Sequence, residues 1–71
     1  MNAQTEIYNA LDPPPTATQQ HEIASVLEQY PDRVHQELKD LIKVLYKGDY
    51  SRLAEFNPDT LSALVRILEL F

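Results

Sequence analysis

Two histidines, three serines and three lysines are the side chains of this 71-residue sequence whose types and spacing could do chemistry. His21 and His35, with Glu22 and Glu37 nearby, offer nitrogen and oxygen ligands of the kind zinc takes. They lack the i, i+4 histidine pair of a helical zinc motif, and a metal would need a second chain to complete its shell. Surface histidines are the simpler reading. Ser25, Ser51 and Ser62 have no glycine elbow or strand-to-helix turn to raise a nucleophile, and a single glycine, Gly48, cannot build a phosphate-cradling loop. No catalytic, cofactor-binding or metal-ligating residue is therefore expected, and the chain reads as non-enzymatic.

The lysines are the more regular feature. Lys39, Lys43 and Lys47 recur every four residues, which places them along one side of a helix. They are either a solvated face or a basic strip that meets acidic residues. The acids are unevenly distributed. Of the eleven, Glu6, Asp12, Glu22, Glu28 and Asp32 fall in residues 1–32, where there is no lysine or arginine; residues 33–71 hold six acids and six bases. The whole net charge of −5 thus belongs to the N-terminal part. Direct nucleic-acid binding needs a positive footprint to release phosphate counterions, so it is not expected here. A protein surface is the better partner, and the Glu22/Glu28 side of another copy is one candidate for the lysine strip.

Four helical segments must position these residues. Residues 1–16 end in Asp12-Pro13-Pro14-Pro15 and read as a flexible, disordered arm. Within that arm Ile7, Tyr8 and Leu11, preceded by Thr5 as a cap, could instead dock as one short helical turn. Residues 17–71 read as the helical domain. Thr16 and Gln19 fit a capping box, and Ile23, Val26, Leu27 and Tyr30 follow on one helical face, giving a first helix over about 17–29 that Pro31 ends. Val34, Leu38, Leu41 and Leu45 line a second, 32–47, closed by Gly48 as a left-handed C-cap. Asp49 is a candidate cap for a short helix over 50–56, with Leu53, Ala54 and Phe56 turned inward. Asn57 as N-cap and Pro58 at the first position then start the last helix, 58–71. No segment alternates with the period of a strand. The expected fold is all-α, a small bundle of three or four helices.

Two outlines are worth comparing. A small acidic helical domain resembles an acyl or peptidyl carrier protein, yet Asp49-Tyr50-Ser51 sets the serine one place too late for that attachment motif, and the second helix begins Asp32-Arg33-Val34. Arg52-Leu53-Ala54-Glu55 and Pro58-Asp59-Thr60-Leu61-Ser62 look like pieces of helix-turn-helix regulators, but the last helix offers only Arg66 to a groove.

The last segment, Asn57 to Phe71, is apolar around most of its circumference and must be surrounded, by the rest of the chain or by another chain. It is expected to organise the bundle. A domain this small buries only about 60% of its unfolded surface, and without cysteine no disulfide can help, so association is the expected extra source of stability. Val44, Tyr46, Ile67, Leu70 and Phe71 form the apolar excess that reads as a partner interface, with Glu22, Glu28, Lys39, Lys43 and Lys47 as its charged surroundings. The expected function is a protein–protein interaction module working as a homodimer. The alternative is a small acidic regulator or inhibitor of a transcription or nucleic-acid-processing protein, acting through protein contacts. The apolar run from Leu61 is about half the roughly 20 residues needed to span a bilayer. No membrane association is expected, and the absence of cysteine suits the cytoplasm.

Overall fold

A computed structural model describes residues 3–71, and the first two positions of the expected arm lie outside the described residues. The chain forms α1 (Ala3–Ala10), α2 (Ala17–Leu27), α3 (Asp32–Lys47), a 3-10 helix (Tyr50–Glu55) and α4 (Pro58–Leu68). Among the described residues there is no strand, so the all-α bundle expected from the sequence is what the chain adopts. No helix is long and apolar enough to cross a membrane.

Local chemistry accounts for several boundaries. The Thr16 side chain accepts from the Gln19 N–H (3.1 Å) and the Gln19 side chain accepts from the Thr16 N–H (2.9 Å), which completes the capping box of α2. Gly48 closes α3 at φ +77°, the left-handed conformation in which a Cβ is disfavoured. Asn57 holds the N-cap position of α4 but makes no side-chain cap bond; its amide donates to the Glu37 carboxylate instead. Asp49 likewise does not cap the short helix, and accepts from the Ser51 hydroxyl at 3.0 Å. That short helix is 3-10 rather than α, and Ala54, expected inward, is exposed while Leu53 and Phe56 are half-buried.

The N-terminal segment departs most from the expected arm. Ala3, Ile7 and Leu11, each four residues apart, place one stripe of α1 and its end in the core, and Ile7 is fully enclosed. Glu6 accepts from the Lys39 ammonium at 3.0 Å, tying α1 to α3, and the Tyr8 hydroxyl donates to the Gln20 carbonyl at 2.9 Å, tying it to α2. An eight-residue helix is marginal alone, so packing rather than propensity holds it. The three prolines separate α1 from α2, and Pro15 is itself buried.

The organising element is also different from the one expected. α3 packs against α1, α4 and the 3-10 helix, while α4 meets α3 on one side and α2 on another. Val34, Leu38, Leu41 and Ile42 are fully buried at the centre, and Ile23, Ala63 and Ile67 close on them. α4 is flanked rather than surrounded, and it leaves Val65 and Leu68 exposed.

Candidate interaction surface

Three polar clusters fasten the helices. In the first, Glu37 on α3 accepts from Arg33 (2.9 Å), from the Asn57 amide and from the Thr60 hydroxyl (3.1 Å), and Arg33 also pairs with Asp59. Hydrogen bonding from Arg33 comes first in holding the Glu37 and Asp59 carboxyls below their ordinary values; Asn57 and Thr60 add to it at Glu37. The same two carboxylates raise the Arg33 guanidinium. Thr60, the buried polar residue of α4, thus has its hydroxyl satisfied across the helix interface.

In the second, the Arg66 guanidinium lies 5.8 Å from the centre of the Tyr30 ring and donates to Gln29 at 2.9 Å, joining α4 to the end of α2. Hydrogen bonds from Ser62 and then Arg66 lower the Tyr30 phenol. The third is the Lys39–Glu6 pair, whose hydrogen bond lowers the Glu6 carboxyl.

The residues that could have done chemistry are not brought together. His21 is exposed on α2, while the His35 Nε2–H donates to the Leu27 carbonyl at 2.7 Å. The Ser25 hydroxyl donates to the His21 carbonyl (3.4 Å), Ser51 to Asp49, and Ser62 lies 3.4 Å from the Tyr30 hydroxyl. Among the described residues no three histidine or acidic side chains converge as a metal site would require.

Two surface concavities stand out among the described residues. A groove of about 520 Å³ runs between α3 and the 3-10 helix, with Val44 and Phe56 along it. Its walls carry Glu37 and Asp40 toward the start of α3 and Lys43 and Lys47 toward its end, with the paired Arg52 and Glu55 opposite. The second is an apolar dish of about 120 Å³, lined by Asp12, Pro13, Tyr46, Leu68 and Phe71. The Tyr46 hydroxyl accepts from the Asp12 N–H at 3.1 Å, which holds the Asp12-Pro13 turn beside the ring.

The dish brings together two of the five residues expected at a partner interface. Tyr46 and Phe71 are each 49% exposed, whereas Leu70 is half-buried against the core and does not line the dish. Ile67 is fully enclosed in the core and cannot meet a partner without rearrangement, and Val44, nearly buried, lines the other groove rather than the dish. Pro13 and Leu68 were not among the expected residues. They belong to the dish because the turn after α1 folds back onto the ends of α3 and α4, a long-range arrangement with no local sequence signal.

Of the charged candidates, Lys39 is occupied by Glu6, whereas Glu22, Glu28, Lys43 and Lys47 are exposed. Among the described residues neither Lys43 nor Lys47 has an ion-pair partner within 4.0 Å. No family model matches the chain, and no curated protein or solved structure matches it.

Proposed function

We propose that the chain is a non-enzymatic, cytoplasmic protein–protein interaction module that works as a homodimer through the dish at the ends of α3 and α4. The observation that carries this reading is the exposure of Tyr46, Leu68 and Phe71 around one apolar concavity, which Pro13 and the charged Asp12 complete. Grouped aromatic and aliphatic side chains inside a polar rim have the composition of an interface core. The acidic-regulator alternative is less well supported. A phosphate mimic needs an ordered row of free carboxylates, and four of the eleven acids, Glu6, Glu37, Glu55 and Asp59, are each paired with a lysine or arginine of the same chain.

Sedimentation or light scattering across a dilution series tests the proposal, on the wild type and on Leu68→Asp combined with Phe71→Asp. A wild-type dimer that the paired substitution converts to a monomer with unchanged helical circular dichroism is the expected result. A wild type that is monomeric at every concentration overturns it.

A further inference from the structure

The dish is built from an unusual set of side chains. Of its five lining residues, Tyr46 and Phe71 are aromatic and half exposed, Pro13 and Leu68 are apolar, and Asp12 carries the one charge. The Tyr46 hydroxyl is already committed. It accepts from the Asp12 N–H at 3.1 Å and donates to the Asp12 carbonyl at 3.4 Å, which holds the ring in place through backbone groups and leaves the Asp12 carboxylate over. That carboxylate has no ion-pair partner within 4.0 Å among the described residues.

An aromatic face is electron-rich and a carboxylate is an anion, so the two together attract a cation. The fold uses the same attraction elsewhere, where Arg66 lies 5.8 Å from the centre of the Tyr30 ring. No lysine or arginine of the chain itself fills the dish. Arg33, Lys39 and Arg52 are paired with carboxylates, Arg66 lies over Tyr30, and Lys43 and Lys47 line the groove on the other side of α3. The net charge of −5 favours the approach of a cation from outside.

Size and hydrogen bonding narrow the class. The dish holds about 120 Å³, well under the roughly 300 Å³ at which sites for drug-sized ligands begin, so it takes one small group. A bare ammonium or a guanidinium brings several N–H donors, for which the dish offers only the Asp12 carboxylate. Its remaining donors would lose their water against Pro13, Leu68 and the two rings, at a cost in free energy. A quaternary ammonium has no N–H to satisfy, keeps its charge and presents methyl groups to the apolar walls.

Resting on the reading of the dish as the homodimer contact, we propose that it also binds the quaternary-ammonium head group of a small soluble compound, with Tyr46 and Phe71 against the methyl groups and Asp12 as the counter-charge. The head group is all that the dish can hold, so it supplies the affinity by itself. The compound and a second copy of the chain use the same side chains, so each excludes the other and the ligand shifts the chain toward monomer.

The test is a titration of the full chain, diluted until it is monomeric, with choline and with its neutral isostere, in which a tert-butyl group replaces the trimethylammonium. Choline is expected to shift the amide resonances of Asp12, Tyr46, Leu68 and Phe71 and to bind about fivefold or more tightly than the isostere. Asp12→Asn keeps both backbone contacts to Tyr46; it is expected to remove most of that preference and leave binding of the isostere unchanged. Equal binding of the two compounds, or no shift with choline, overturns the proposal. So does a peptide carrying one trimethyl-lysine that binds far more tightly than choline, since the head group would then belong to a protein. Sedimentation of the concentrated chain separates this proposal from the reading beneath it. A dimer that dissociates as choline binds supports both, and a dimer that persists with choline in the dish moves the self-contact elsewhere while the ammonium site stands. A dimer broken by Leu68→Asp with Phe71→Asp, in a chain that does not bind choline, overturns the ammonium site alone.

Discussion

Glu37 joins three elements through one carboxylate: Arg33 on its own helix, Asn57 before α4 and Thr60 within α4. Its pKa and that of Asp59 are depressed by the Arg33 hydrogen bonds, and Glu6 is depressed by Lys39. A carboxyl with a lowered folded-state pKa contributes stability above its unfolded value and loses it as pH falls through the folded value. The ordinary values are 4.5 for Glu6 and Glu37 and 3.8 for Asp59, so resistance to urea should be level from neutral pH down to these values and decline as the pH falls through and below them. Arg33→Gln should flatten the acid limb, as unfolding midpoints at a series of pH values would register; an unchanged limb would show that Arg33 does not set these pKa values. Gly48 makes a separate residue-scale case. A Cβ there meets nothing within 4 Å, so Gly48→Ala costs only the left-handed backbone term, about 1–2 kcal/mol by denaturant titration. Gly48→Asn should recover part of it, because asparagine tolerates that conformation.

At the scale of the element, what was legible in the sequence divides by range. The capping box at Thr16 and Gln19, the glycine stop at Gly48 and the bounds of α3 are readable because every partner lies within four residues. The docking of α1 was legible only as the alternative that Ile7, Tyr8 and Leu11 form a short docked turn, since Ile7 and Leu11 join a core whose other members lie far along the chain and the proline run reads equally well as the edge of a loose arm. The central place of α3 was missed for a related reason. α4 is the more uniformly apolar segment, but apolarity does not reveal that Val65, Leu68 and Phe71 face outward. Tyr46 and Phe71 were identifiable as apolar excess; that Pro13 and Leu68 join them depends on how the turn after α1 returns to α3. If α1 belongs to the cooperative core, Ile7→Ala should destabilise the whole domain by about 2–5 kcal/mol, the usual cost of truncating a buried isoleucine. The check is whether the midpoint followed by helical circular dichroism shifts as a single transition. A shift near zero would restore the arm. Thr16→Ala should cost less, about 1 kcal/mol, because it removes one cap and leaves the packing of α2 intact.

For the whole molecule, stability and association are one question. A chain of 71 residues without disulfides has a small core, and this one leaves Tyr46, Leu68 and Phe71 uncovered at one end. Any partner that binds the folded chain and not the unfolded one raises the apparent stability by mass action, and when that partner is another copy the thermal midpoint rises with protein concentration. The wild type should therefore melt at a higher temperature as it is concentrated, whereas Leu68→Asp with Phe71→Asp should melt at one temperature throughout. Tyr50 supplies the control. It is the most exposed of the large apolar side chains, at 63%, but it lies at the start of the 3-10 helix and does not line the dish. Tyr50→Ser should leave the concentration dependence as it is in the wild type. Loss of that dependence in the Tyr50 variant would move the contact to the 3-10 helix and the adjoining groove. Its retention there together with its loss at Leu68 and Phe71 would fix the contact at the dish.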